Sequence, residues 1–420
     1  MKRLSSILAG TAVCAGLACA PMAGAAQLTP QQVAGNAAQS TLAPLEVTPE
    51  LEQQTWYQKY KDDPRVEKLQ ATSPAMNGRQ IPLAVIRATD ENRPTIYLLN
   101  GAGGAEQDMD WLKLSDAVDF YHSKNVNVVI PQAGAFSYYT DWVSSPNSGY
   151  LKGPQKWETF LAKELPGALE EHIGGNGKRA IAGMSMSATS SLLLAEHNPG
   201  FYNAVGSFSG CASTSRPLPR LYTQLTVNRG GGSADQMWGA MGSEYNVYND
   251  ALVNANPNNL GKSETYVSVN SGLGGANDWG VPGSSTLIVE GGVIEAAMNS
   301  CTHDLKAKMD SQGMKADWNF RNTGTHSWPG WRNDLFTSWA TFERGFAKDA
   351  AEAPAEPEVK PNELSIEAPQ AEEDAQVKDA PSAADQSPDK DFVEGKDAEG
   401  AEAPDAAEAA AAAEAAVAAE

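Results

Sequence analysis

The sequence predicts an α/β domain, a mostly parallel central sheet with helices on both faces, followed by a disordered tail. Between about Trp56 and Asp349, short apolar runs alternate with helical stretches, the pattern of buried parallel strands joined by helices. A tight Gly-Met-Ser-Met-Ser turn lies between one such strand and a helix. From Ala350 onward the chain is Ala, Glu, Pro and Asp with almost no aromatic residue, a composition that buries too little apolar surface to offset ordering entropy.

Taken in order, the first residues read as an export signal. Met1-Lys2-Arg3 is basic, residues 7–20 are apolar and uncharged, and Ala23-Gly24-Ala25 supplies the small residues of a cleavage site. The apolar run is shorter than the ~20 residues a membrane span needs. Residues 1–25 are therefore assigned as a signal peptide and 26–55, polar with scattered Pro and Gln, as a loosely held arm. One globular domain covers 56–349. Within it, strands are predicted over 81–87, 95–99, 127–131, 180–183, 204–209, 265–269 and 317–321, with helices over 111–123, 157–172, 187–197 and 329–347. The acidic tail, 350–420, reads as a flexible spacer.

Charge excludes one function class. The formal net charge is −21, yet residues 351–420 hold 20 acids against 4 lysines, which leaves 32 acids and 27 bases before them. That balance gives no basis for nucleic-acid binding. Loss of the signal peptide leaves Cys211 and Cys301, an even pair in an oxidising compartment. Val293, Ala297, Cys301 and Leu305 recur at four-residue spacing, so Cys301 should face the protein core from a helix and pair with Cys211. No His and Cys cluster has metal-ligand spacing.

Ala180-Ile181-Ala182-Gly183-Met184-Ser185-Met186-Ser187 runs from strand through turn to helix with Ser185 at the apex. Small flanking residues suit a strained elbow that lifts a serine hydroxyl above the sheet, the nucleophile turn of α/β-hydrolases. Ser187 stands where the last glycine of that motif is expected, and the bland reading is a serine-rich helix cap. His122, His172 and His197 fall in helical stretches as surface or capping residues, and His303 lies inside a helix. His326 alone follows the last strand in a loop, where this fold carries its base. By chain order Asp278, Glu290 and Glu295 are equivalent candidates for the acid. The loop Asn100-Gly101-Ala102-Gly103-Gly104 follows the 95–99 strand, the position of the second oxyanion N–H.

Motifs across about Ser73 to Trp331 make the reading more specific. Ser137-Tyr138-Tyr139-Thr140-Asp141-Trp142, Lys156-Trp157-Glu158-Thr159-Phe160-Leu161, Gly183-Met184-Ser185-Met186, Met237-Trp238-Gly239 and Gly324-Thr325-His326-Ser327-Trp328 resemble the secreted mycolyltransferases of the antigen 85 family and their corynebacterial relatives. The resemblance implies Ser185 as nucleophile, His326 as base and Glu295, within Val293-Ile294-Glu295-Ala296-Ala297-Met298, as acid. It implies Ala102 and Met186 as oxyanion donors, and Ser327 and Trp328 beside the substrate. It further implies trehalose mycolates and cell-wall arabinan as partners, no cofactor, a monomer, and a place at the mycolate layer of the cell envelope. Two departures are visible. An aspartate and an arginine that hold trehalose in the mycobacterial members are Asn100 and Gly103 here, and the short cysteine loop before Trp157 is absent. Two rivals remain: a carboxylesterase, in which water completes the reaction, and a non-catalytic envelope-binding protein. Trp142, Trp157 and Trp238 could line a sugar site, but core packing is the preferred reading.

Overall fold

The computed structural model describes residues 29–35, 38–279 and 284–348; the predicted signal peptide and acidic tail lie outside the described residues. Nine strands there form one sheet: β1 (Thr41–Pro44), β2 (Val66–Ser73), β3 (Arg79–Ile86), β4 (Arg93–Leu99), β5 (Asn127–Pro131), β6 (Gly175–Met184), β7 (Ala204–Phe208), β8 (Glu264–Val269) and β9 (Asp317–Phe320). Their order is β1-β2-β3-β5-β4-β6-β7-β8-β9. Pairing is antiparallel from β1 to β5 and parallel from there to β9.

Side-chain alternation explains why both faces are covered. Along β4, Tyr97 and Leu99 enter one core cluster, and Ile96 and Leu98 enter the other. On β6, Ile181 faces the first cluster while Ala180 and Ala182 face the second. Leu192 to Ala195 of helix α1 (Met186–His197) seal the first face. Trp331, Leu335 and Phe342 of the closing helices seal the second. Trp142, Trp157 and Trp238 are buried in the core, each 1 % exposed or less. Among the described residues no helix is long and apolar enough to cross a membrane.

The structure departs from the sequence reading in several places. Part of the supposed arm is an edge strand: β1 pairs with β2, and Val33 is buried in the first cluster. The helix expected over 111–123 breaks into Trp111–Leu114 and Ala117–Ser123. Ser115 breaks it, because its hydroxyl donates to the Trp111 carbonyl at 2.5 Å and accepts from the Ala117 N–H at 3.2 Å. The closing helix is likewise two, Trp328–Thr337 and Trp339–Ala347. His197 is not a surface or capping residue. It is buried between the Glu158 carboxylate and the Tyr248 carbonyl, each at 2.9 Å, and stacks on the Tyr248 ring.

Helix α2 (Ser284–Ser311) is the longest among the described residues. Its Cys301 is bonded to Cys211, just past β7, across a sequence separation of 90 residues. Val269, Met298 and Phe320 pack around the pair. In the chain-entropy picture a closed loop of that size stabilises the fold by about 4–5 kcal/mol. Cys211→Ser with Cys301→Ser should therefore lower the unfolding free energy by several kcal/mol in urea titration. The parent, unfolded without reductant, should show no free thiol from this pair; two titratable thiols would refute the bond.

Candidate active site

Strand β6 ends at Met184 and α1 starts at Met186, so Ser185 alone makes the turn, with φ 55° and ψ −120°. A non-glycine residue holds such a conformation only when its surroundings over-determine it. Those surroundings are close-packed. A Cβ at Gly183 would lie 2.3 Å from the Ser187 carbonyl oxygen, and one at Gly210 would lie 2.5 Å from Ala188 Cβ. The Ser185 N–H donates to the Phe208 carbonyl at 2.8 Å. Ser187, in the glycine position of the motif, is fully buried. Its hydroxyl accepts from the Met184 N–H at 3.0 Å and sits 3.1 Å from the Leu99 carbonyl. This serine is committed to joining the ends of β6 and β4.

His326 Nε2 lies 2.7 Å from Ser185 Oγ, and its Nδ1 lies 2.7 Å from Glu295 Oε2. A carboxylate only accepts, so Nδ1 carries the proton and the neutral ring's Nε2 is left to accept from the serine hydroxyl. Glu295 is fully buried. Its Oε1 accepts from Ser209 Oγ and from the Asn270 N–H, both at 2.7 Å. Ser209 and Asn270 are the first residues past β7 and β8, so the sheet itself delivers the donors. Helix α2 meets the histidine loop at Gly291 and the 271–275 loop at Gly292. The Gly291 carbonyl accepts from the His326 N–H at 2.9 Å, and a Cβ at Gly292 would lie 2.6 Å from the Gly272 oxygen.

Among the three acids left open by chain order, Glu295 alone bonds His326. Asp278 instead accepts from the hydroxyls of Thr325 at 2.9 Å and Ser327 at 3.1 Å, which braces the loop around His326. Ser327 is accordingly buried with its hydroxyl occupied. Trp328 packs edge-on against Trp111 and Trp331, and Trp331 packs edge-on against His326. Met186 opens α1, where backbone N–H groups have no intrahelical acceptor. The Ala102 carbonyl accepts from the Phe136 N–H at 2.8 Å, which orients the Gly-rich loop. Asn100 is buried and bonds the Pro131 carbonyl and the Trp111 N–H, both at 3.1 Å. A Cβ at Gly103 would meet Gln107 Oε1 at 2.4 Å, so Gln107 fills the space a larger residue would claim.

Sequence reasoning missed Ser209, Asn270 and the bracing role of Asp278. Their one advance signal is place, because Ser209 and Asn270 sit at the carboxyl ends of strands, where α/β sheets build their sites.

A hydroxyl on a strand-to-helix elbow, an imidazole in contact with it and a carboxylate behind, on this sheet, define the α/β-hydrolase class. The chain belongs to the Esterase family, whose profile matches residues 73–342. It is 32 % identical over 276 residues to the diacylglycerol acyltransferase/mycolyltransferase Ag85A of Mycobacterium tuberculosis, covering 64 % of this chain and 78 % of that one. To Ag85C of Mycobacterium leprae it is 30 % identical over 273 residues, covering 64 % and 79 %. The crystal structure of Mycobacterium tuberculosis MPT51 shares the fold, with a TM-score of 0.56 and 23 % identity over 67 % of this chain and 98 % of that chain.

The elbow's packing is directly testable. Gly183→Ala should cost about 1–3 kcal/mol by overpacking. Ser187→Ala should cost about 1–3 kcal/mol by leaving the Met184 N–H unpaired. Urea unfolding reads both, and a Gly183→Ala protein as stable as the parent would refute the close approach.

Proposed function

We propose that this protein is an exported serine acyltransferase that moves a mycolyl group from a trehalose ester donor to a sugar hydroxyl, on trehalose or the cell-wall arabinan. The observation that carries the reading is the unbroken contact from Ser185 through His326 to Glu295. Membership of a family whose relatives are named mycolyltransferases supports the choice of acyl group.

The chemistry follows atom by atom. Ser185 Oγ attacks the ester carbonyl as its proton passes to His326 Nε2. The imidazolium formed is held by Glu295, whose charge is fixed by the donors from Ser209 and Asn270. The carbonyl oxygen becomes an oxyanion, met by the N–H groups of Ala102 and Met186; one such donor is typically worth ~3 kcal/mol. His326 returns the proton to the departing sugar oxygen, leaving the acyl group on Ser185. An acceptor hydroxyl gives its proton to the same Nε2 and attacks that ester, and Nε2 passes the proton to Ser185 Oγ as the serine leaves.

Asn100 is tied into the fold and Gln107 fills the space beside Gly103, so neither position presents a charged group to an acceptor sugar. The basic and apolar residues before Ala25 support export to the envelope.

With a labelled trehalose monoester as donor, Ser185→Ala and His326→Ala should each lower turnover about a million-fold. Glu295→Ala should lower it on the order of ten-thousand-fold, because such groups act as a unit. Mass spectrometry of the parent should place the acyl mass on the peptide holding Ser185. Transfer by Ser185→Ala, or acylation on Ser187, would sink the assignment. Free acid released from donor alone as fast as transfer proceeds would identify a carboxylesterase instead.

A further inference from the structure

The two residues assigned to the oxyanion both lean on one turn. The Phe136 N–H donates to the Ala102 carbonyl at 2.8 Å. The Tyr138 N–H reaches Met186 Sδ at 3.4 Å, and Ser190 of α1 donates to the Tyr138 carbonyl at 2.5 Å. The turn's backbone is unusual: φ is 106° at Gly134, 61° at Phe136, 54° at Tyr138 and 47° at Tyr139. Phe and Tyr occupy this left-handed region only where surrounding contacts hold them there.

Glu106 supplies one such contact. It lies in a single 3-10 turn, Ala105–Gln107, directly after the Gly-rich loop. Its Oε1 accepts from the N–H groups of Gly134 at 2.8 Å and Ala135 at 3.1 Å. Its Oε2 is enclosed with no hydrogen-bond partner. A Cβ at Gly104 would come within 2.8 Å of that atom, so the carboxyl is wedged between the loop and the turn. Burial holds the acid up at about 7, against the pull of the two N–H groups and of Arg79. Carboxyls displaced this far collect at functional sites.

We propose that Glu106 is a positioning residue for the oxyanion hole, pinning the 134–138 turn so that Ala102 and Met186 present their N–H groups at a fixed separation. The proposal rests on the reading of Ser185 as nucleophile. Glu106 touches no reacting atom; it acts through Gly134 and Ala135, and the turn then acts on Ala102 and Met186. A glutamine in its place keeps a carbonyl oxygen able to accept the same two bonds, whereas alanine keeps none.

The test uses the full exported chain, a fluorophosphonate probe and a short-chain p-nitrophenyl ester. Glu106→Ala should slow labelling and lower kcat on the order of 10- to 100-fold, the effect of a small misplacement at a reacting centre. KM should stay within about twofold, since the lost interaction belongs to the transition state. Glu106→Gln should return both rates to within about threefold of the parent, because the acceptor is restored. Parental rates in Glu106→Ala, equal losses in both variants, or a loss carried by KM would overturn the proposal. If the alanine protein does not fold, Glu106→Asp decides, since it keeps the carboxyl and shortens the reach. A kcat lowered at least about tenfold then supports the proposal, and a parental kcat overturns it. An unlabelled parent, or labelling that persists in Ser185→Ala, would instead bring down the Ser185 reading and this proposal with it.

Discussion

A carboxylate sealed from water must be met by donors on every side, and Glu295 sets that demand for the whole domain. Its partners are Ser209 Oγ, the Asn270 N–H and His326 Nδ1. They arrive from the ends of two adjacent strands and from the loop after a third. Losing any one would weaken the compensation of a buried carboxylate, at about 1.5–3 kcal/mol for a hydrogen bond to a charged group. The parallel order β7-β8-β9 is what brings all three to one point. The disulfide holds α2, which carries the acid, to the strand that supplies Ser209.

Backbone proximity is the second theme. Helix α1 touches down on β6 because Gly183 has no side chain, and α2 closes on the 271–275 loop because Gly272 and Gly292 have none. At each contact an added methyl would meet a main-chain oxygen, which has nowhere to retreat. The hydroxyls of Ser187, Ser190 and Ser191 turn inward from α1 to main-chain carbonyls. This helix is therefore buried on nearly all sides, with its inward serine hydroxyls satisfied by main-chain carbonyls.

What the sequence disclosed follows from how far each signal reaches. The parallel strands were legible because burial on both faces writes an uninterrupted apolar run, as in residues 95–99 and 127–131. β2 was not, since its Val-Glu-Lys-Leu-Gln-Ala-Thr-Ser mixes charge with half-buried positions. β1 is four residues of mostly exposed chain whose strand character comes only from its partner. Ser185 and His326 were legible through local motif and chain order. Chain order alone left the acid open among Asp278, Glu290 and Glu295, which differ in what lies across from them in space. The family resemblance of the 293–298 segment pointed to Glu295, the one that bonds His326. Ser209, Asn270 and Glu106 act through contacts 25 to 86 residues away in the chain, which no local pattern records.

The strand order also sets a sequence of events as the chain emerges from its N-terminus. The β2–β3 hairpin needs only its own neighbourhood, and it can form early. β4 must be threaded between β5 and β6, so the sheet's centre waits for residues near 184. The site waits longer. His326 lacks its edge-on aromatic neighbour until Trp331 packs beside it, and the second face is not sealed until Phe342 arrives. A nascent chain therefore presents Ser185 well before Glu295 and His326 can join it. The three groups come together only once the closing helices are in place, so their arrangement is a property of the completed fold.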